Sequence, residues 1–394
     1  MSRVLVIIVC CCCFVIASAL SGCGSSGANA PSNGPVSALN APSLSAPSNV
    51  AVSAPNVPVT ENRRKGSEFN ERGNIVIADQ FNNRVIEIDP PAHRIVWQFG
   101  DGSVKPGAHS VVAPNDAERV GSFTLISGTG APTGAEPGCA GANGCPDNRV
   151  ILVNPAGNIV WEDDQVNTPV CSVVLPNAHV LITDQGNQRV IEVDGRKDIV
   201  WQYGSTGVPG SGPNQLNNPN SAELLANGHI LIADENNNRV IEVDKLSKSI
   251  VWQYPSTPNT TLLSGAAFAS RLANGNTLIT DSNNNRIIEI DSSQNVVWSY
   301  VTSSRPGSVT NPLPTRAVRL VNGDTLISDQ FNDQVIEVDH QTPANIHFTQ
   351  GTINVAGTGP NELNAPYDAK VIGDFTGLTP PPNGLNNAGD NFLR

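Results

Sequence analysis

From about residue 66 onward the chain is written in short apolar runs of four to six residues, rich in Val and Ile and separated by Asn-Gly, Pro or Asp/Asn clusters. Runs of that length between turn residues are strand and hairpin chemistry. They recur in a fixed order. The clearest copies are residues 73–89, reading GNIVIAD and then NRVIEID, and residues 228–244, reading GHILIAD and then NRVIEVD. Each closes on an Ile-Val-Trp run, at Trp97 and Trp252.

One aspartate marks the end of the second run in each copy, at Asp79, Asp184, Asp234, Asp281 and Asp329, with Ser127 in its place in the second copy. The markers are 48, 57, 50, 47 and 48 residues apart. A period near 48 with four short strands per copy predicts an all-β fold, a six-bladed β-propeller of four-stranded antiparallel blades. A helical solenoid is excluded by the same pattern. In the copy beginning at Pro219, strand A is expected over 222–225, B over 230–233, C over 240–243 and D over 250–254, with a tight turn at Asn227-Gly228.

A single blade cannot bury both of its apolar faces, so each must lean on its neighbours. All five tryptophans, Trp97, Trp161, Trp201, Trp252 and Trp298, share one position on strand D, with His347 in the last copy. This implies packing between blades and disfavours a ligand cage. The tail segment 357–366 repeats the connection at 210–219, and residues 368–372 then fit a strand A with no later strands of its own. The propeller is therefore expected to be closed by the C-terminal strand, which completes the blade begun at residues 75–99. Residues 66–72 compete for that place, and a seventh blade built from spare segments stays open.

The N-terminus is different. One cationic residue, Arg3, precedes an apolar run over residues 4–20 that ends in Leu20-Ser21-Gly22-Cys23. The run is short for a bilayer span of about 30 Å and has the layout of an export signal. Its end resembles the lipobox of bacterial lipoproteins, which implies lipidation at Cys23. Residues 1–22 are then a signal peptide. Cys10 to Cys13 are discarded with it, and Gly24 after the lipidated cysteine mildly favours the outer membrane. Residues 23–62, built mainly from Ser, Ala, Pro and Asn, cannot bury enough apolar surface to order themselves and are expected to form a tether spanning on the order of 35 Å. The propeller is placed at 63–374 and a Pro/Gly/Asn-rich tail at 375–394.

The net charge of −12 comes with no basic cluster larger than Arg63-Arg64-Lys65, which excludes nucleic acid as a partner. Of the 35 acidic residues, fifteen sit at three repeating positions: the first aspartates, the strand-C glutamates (Glu87, Glu192, Glu242, Glu289, Glu337) and the final aspartates (Asp89, Asp194, Asp244, Asp291, Asp339). Recurring arginines (Arg84, Arg149, Arg189, Arg239, Arg286) are available to pair with some of them. The mature chain keeps Cys139, Cys145 and Cys171. In an oxidising compartment the first two suit a local disulfide better than a zinc site, which would want four ligands. The Asp-x-Asn-x-Asn runs at Asp234 and Asp281 lack the glycine and glutamate of a calcium loop and read as turn caps, so no metal and no cofactor is expected.

The segment GPNQLNNP at 212–219, with Ile232-Ala233-Asp234 and Asn237-Asn238-Arg239-Val240, resembles the NHL-repeat propellers. The Ile-Val-Trp endings are similar to those of quinoprotein-like and arylsulfotransferase-like propellers. The resemblance covers residues 66–372. These families include binding scaffolds, lyases and sulfotransferases, and a shared fold does not choose among them. The arylsulfotransferase resemblance implies a central histidine nucleophile. The position two beyond the proline slot reads Asp116, Cys171, Ser221, Phe268, Arg316 and Asp368, with no histidine, so that activity is doubtful. Cys171 has no histidine placed to act as its base.

The second copy carries 17 extra residues between strands B and C, within 128–147, holding Cys139 and Cys145. B-to-C and D-to-A connections share one face of a propeller, and binding residues concentrate on such loops. A site is therefore expected where this insertion meets the inner strands, with candidates Asp116, Cys171, Ser221, Phe268, Arg316, Tyr367 and Asp368. The function expected is a membrane-tethered binding scaffold of the bacterial cell envelope whose partner is an envelope protein, a glycan or a small ligand. The alternative is a propeller enzyme acting in the channel.

Overall fold

A computed structural model describes residues 68–382. The signal segment, Cys23, the tether and the last twelve residues of the tail lie outside them. Six four-stranded antiparallel sheets form the blades of a propeller. Beyond the strands, the helical elements among the described residues are three-residue 3-10 turns, and none could cross a membrane.

Blade 1 joins the two chain ends. Its inner strand is Pro366–Val371, paired antiparallel to Ile75–Asp79, and Arg84–Asp89 and Arg94–Phe99 complete it. Closure therefore uses the C-terminal strand, and the ring has six blades. Residues 68–72 lie elsewhere: Phe69 packs against Trp97, and the Asn70 backbone N–H donates to Glu87 Oε1 at 2.6 Å.

The second strand of a blade reads as an unbroken apolar run because both of its faces are covered. In blade 1, Val76 and Ala78 pack on Ala117, Ile126 and Ile151 of blade 2. The alternate residues Ile75 and Ile77 pack on Leu320, Leu326 and Val335 of blade 6. Each fully buried side chain of this kind contributes about 1.5–3 kcal/mol, and none of it is available to a blade standing alone.

Strand A begins at proline in four of the six blades, as in Pro219–Leu224, where a residue with no N–H to donate is tolerated at a strand end. It thus starts three residues earlier than the run at 222–225 suggests. Three places beyond the proline slot stand Ala117, Ser172, Ala222, Ala269, Ala317 and Ala369. Only small side chains fit where the blades crowd toward the axis.

Each marker aspartate ends strand B immediately before a 3-10 turn, and its side chain makes no capping bond to that turn's backbone, contrary to the turn caps expected from the Asp-x-Asn-x-Asn runs. Asp234 Oδ2 accepts from Arg239 Nε at 2.7 Å and Asn237 Nδ2 at 2.8 Å, and its Oδ1 accepts the Asn217 N–H at 2.8 Å. The same 2.7 Å pair joins Arg84 to Asp79, Arg189 to Asp184 and Arg286 to Asp281. Blade 6 has Gln334 in place of the arginine, and Arg305 from the preceding loop reaches Asp329 instead. The strand-C glutamates staple neighbouring blades: Arg119 meets Glu87 at 2.6 Å, Arg271 meets Glu242 at 3.0 Å and Arg319 meets Glu289 at 2.8 Å. Indole N–H groups cross the seams of blades 1–2, 2–3 and 3–4, Trp97 to Pro155 O, Trp161 to Gly195 O and Trp201 to Lys245 O, at 2.8–3.2 Å.

Candidate binding site at the loop-bearing mouth

The channel is filled. On the six inner strands the position two beyond the proline slot places Asp116, Cys171, Ser221, Phe268, Arg316 and Asp368 around the axis, none more than 2% exposed. Arg316 Nη2 contacts Asp116 Oδ1 at 2.5 Å and its Nε lies 2.9 Å from Asp368 Oδ1. Lys370 Nζ reaches the same two carboxylates at 2.7 and 2.8 Å. The Arg316 guanidinium also lies over the Phe268 ring, 4.3 Å from its centre.

The aspartates bind backbone as well. Asp368 accepts the Ala117 N–H and Asp116 the Ser172 N–H, both at 3.1 Å, so each ties its blade to the next. Burial works against the charge on Asp368, but Arg316 and Lys370 outweigh it and hold that carboxyl below its usual range. Burial also pushes the Cys171 thiol up to about 12, which keeps it protonated and poorly nucleophilic.

One layer further along the axis lie Glu118 and Glu223. Burial pushes Glu118 up to about 8. Glu223, also raised by burial, accepts from the Thr379 N–H at 2.8 Å and its hydroxyl at 2.5 Å. The first residues of the tail thus turn back under the propeller, with Thr379 at 2% exposure.

At the opposite mouth, where the B-to-C turns emerge, a cup of about 410 Å³ lies open. The residue after the marker position reads Gln80, Gly128, Gln185, Glu235, Ser282 and Gln330 around the ring, and only the three glutamines of this set reach the cup. Gln80, Gln185 and Gln330 border the cup together with Asn115 and Tyr367 from the inner strands. Gln330 Nε2 donates to Gln80 Oε1 at 2.8 Å, and Gln80 Nε2 donates to Asn115 Oδ1 at 2.7 Å. Across the ring, Asn220 Nδ2 donates to Glu235 Oε2 at 2.8 Å and to the Tyr367 hydroxyl at 2.9 Å. Phe81 and Phe331, from matching turns of blades 1 and 6, stand half-buried at the rim.

The insertion supplies the cup's wall. It is a lengthened hairpin: strands B and C of blade 2 run over Phe123–Ala131 and Cys145–Val153, with a bulge at Gly128/Gly130. Cys139 and Cys145 are joined in a disulfide that ties the connecting loop to the end of strand C, and Cys139 packs with Val112, Ala113 and Ala131. Asp147 takes over the role that Ser127 cannot fill: it pairs with Arg149 and accepts the Val112 N–H at 2.6 Å. Gly128 makes that possible, since a Cβ there would stand 2.6 Å from the Asp147 carboxylate. Thr129, Gly130, Ala131, Pro132, Asn143 and Pro146 of this hairpin border the cup.

Of the seven candidate residues, Tyr367 borders the cup and the other six form the sealed layer beneath it. Asp116, Arg316, Asp368 and Cys171 do converge, as an enzyme would require, but around each other. Gln80, Gln185, Gln330, Phe81 and Phe331 were not singled out by the sequence. The signal available was the position following each marker aspartate.

A family model described as outer membrane protein assembly factor BamB matches residues 146–366. The chain belongs to that family. Its fold is accordingly that of a quinoprotein-like propeller. Among solved structures, a protein of unknown function from Bacteroides caccae is similar at 13% identity with a TM-score of 0.51, covering 71% of this chain and 93% of that one. A virginiamycin B lyase from Staphylococcus aureus is similar at 16% identity with a TM-score of 0.41, covering 62% and 75%. The first likeness speaks to the fold alone, and the second carries no argument. No curated protein matches the chain.

Proposed function

We propose that the protein is a non-enzymatic binding scaffold of the bacterial cell envelope, tethered to the membrane through lipid on Cys23 and engaging its partner at the cup. The observation that carries this reading is the separation of charge from access. The ionic groups of the channel are buried, with Arg316 and Lys370 set against Asp116 and Asp368 and burial pushing Glu118 and Glu223 up, whereas the side chains bordering the open cup include no Asp, Glu, Lys, Arg or His among the described residues. The titratable group bordering the cup among the described residues is the Tyr367 hydroxyl, buried and hydrogen-bonded to Asn220, with no carboxylate, imidazole, amine or thiol on the same border to complete the acid, base or nucleophile set that a lyase, hydrolase or transferase needs. Neutral amides and aromatic rings are suited to recognition instead.

Membership of an outer-membrane assembly family and a disulfide between Cys139 and Cys145 both support an extracytoplasmic place. The test has two parts. Cys23→Ser is expected to move the protein from the membrane to the soluble envelope fraction. In envelope extracts, the intact chain is expected to retain a partner that a variant with 132–144 replaced by Asn-Gly loses, while both unfold at similar temperatures. Equal retention by the two would refute the role of the cup.

A further inference from the structure

We infer that the cup takes an uncharged saccharide unit, its hydroxyl groups read by Gln330, Gln80 and Asn115 and its apolar face resting on Phe331 and Phe81. This deepens the scaffold reading and rests on it. The starting point is an unfinished hydrogen-bond series. Gln330 donates to Gln80 and Gln80 to Asn115, but Gln330 Oε1 has no partner although the residue is 2% exposed and borders the cup. A buried acceptor without a donor costs about 1–3 kcal/mol, and this one belongs to a residue that borders the cup.

The chemistry of the lining narrows what that donor belongs to. A charged ligand would lose its hydration with no opposite charge bordering the site, which disfavours nucleotides, acidic sugars and lipid phosphates. Carboxamides offer a donor and an acceptor side by side, matching a hydroxyl, which is also both. The aromatic residues are specific to this side of the ring. Blades 1 and 6 share the turn Asp-Gln-Phe-Asn, giving Phe81 and Phe331, whereas blades 3, 4 and 5 carry Gly186, Asn236 and Asn283 at that place. Amides beside apolar rings complement a ring whose edge is hydroxylated and whose face is C–H. A peptide adding itself as a strand would need an exposed sheet edge, and this cup is walled by turns and a hairpin. Its volume of about 410 Å³ lies in the range of small-ligand sites, about 300–1,000 Å³.

The test titrates the full-length chain, in a detergent without a sugar headgroup, by calorimetry and ligand-observed NMR. The probes are glucose, galactose, mannose, N-acetylglucosamine and their disaccharides, with glucuronic acid and a capped Gly-Asn-Ser-Gly peptide as contrasts. Saturable binding of at least one neutral sugar is expected with Kd below about 1 mM, with glucuronic acid about tenfold weaker. Gln330→Met and, separately, Phe331→Ala are each expected to weaken it about five- to tenfold without lowering the unfolding temperature by more than a few degrees. If no neutral sugar binds at about 10 mM, if glucuronic acid binds as well, or if both variants bind like the parent, the inference fails. Peptide binding that Phe331→Ala removes, in the absence of sugar binding, would overturn the saccharide and leave the scaffold standing. Absence of both, together with unchanged envelope capture by the hairpin variant, would overturn the two together.

Discussion

The sealed layer at the axis makes a quantitative claim about stability. In Arg316→Met, Asp116 loses its 2.5 Å contact, Asp368 its 2.9 Å contact and Phe268 the cation above its ring, leaving two buried carboxylates against Lys370 alone. Removing one partner from a buried ionic set costs about 3–5 kcal/mol, mostly because the surviving charge stays buried without compensation. With a denaturant slope of about 3 kcal/mol/M, the urea midpoint should fall by about 1–1.7 M. The deficit should also depend on pH. Burial already lifts the Asp116 carboxyl in the parent; without Arg316 it is held further above its unfolded value of about 3.9, so the native state binds the extra proton and the penalty grows as pH rises through that window. The difference from the parent chain should therefore be smaller at pH 4 than at pH 7. Adding Asp368→Asn to Arg316→Met should recover part of the loss, with a coupling of about 1–3 kcal/mol. A midpoint shift below about 0.3 M, or a deficit constant across this pH range, would refute the reasoning that matched charges hold the axis together.

Glu118→Gln keeps an acceptor for the Val174 N–H but removes a carboxyl that burial lifts from 4.5 to about 8. The raised carboxyl makes the parent lose stability as pH rises between those values, so the variant should match it near pH 4 and exceed it by on the order of 5 kcal/mol above pH 8, read from urea midpoints. Replacing both Cys139 and Cys145 by Ser opens a loop with a sequence separation of only 6. The expected cost is at most about 2 kcal/mol, accompanied by faster proteolytic nicking within 132–144, with the rest of the ring protected. Trp201→Phe removes the 2.8 Å donor to Lys245 O across the seam between blades 3 and 4 and should cost about 1 kcal/mol by denaturant unfolding. No loss there would mean that the indole contributes apolar area alone.

The ring was legible because its physics is periodic. A marker aspartate every 48 or so residues, flanked by Val/Ile runs, reports a sheet buried on both faces, and the repeated connection at 357–366 shows which end closes the circle. The start of strand A was hidden, because Pro219-Asn220-Ser221 carries none of the apolar signal that marks a strand, yet it pairs with Asp234 and Ala233. The inserted segment was visible as a count of residues, but not as an extension of two strands. That form depends on Gly130, whose φ of +96° admits the bulge, and on Asp147 returning to the place left by Ser127.

The site was harder to read than the fold, for a reason that lies in the symmetry itself. Alignment of copies identifies which positions face the axis, and it correctly brought Asp116, Arg316 and Asp368 together. It cannot tell whether axis-facing side chains look into solvent or into one another, because that depends on which residues fall opposite in a ring of unlike copies. Lys370 decides the matter: two places beyond Asp368 on the same strand, it supplies the second cation that lets two aspartates remain buried. With the charges satisfied below, the mouth above is left to neutral side chains. On the proposed reading, recognition there would rest on differences between turns that the repeat otherwise makes alike. Phe81 and Phe331 are two of those differences, and the hairpin walled by Cys139 and Cys145 is the third. A scaffold that stores its ionic groups in the axis and its asymmetry at one rim can vary what it binds without disturbing what holds it closed.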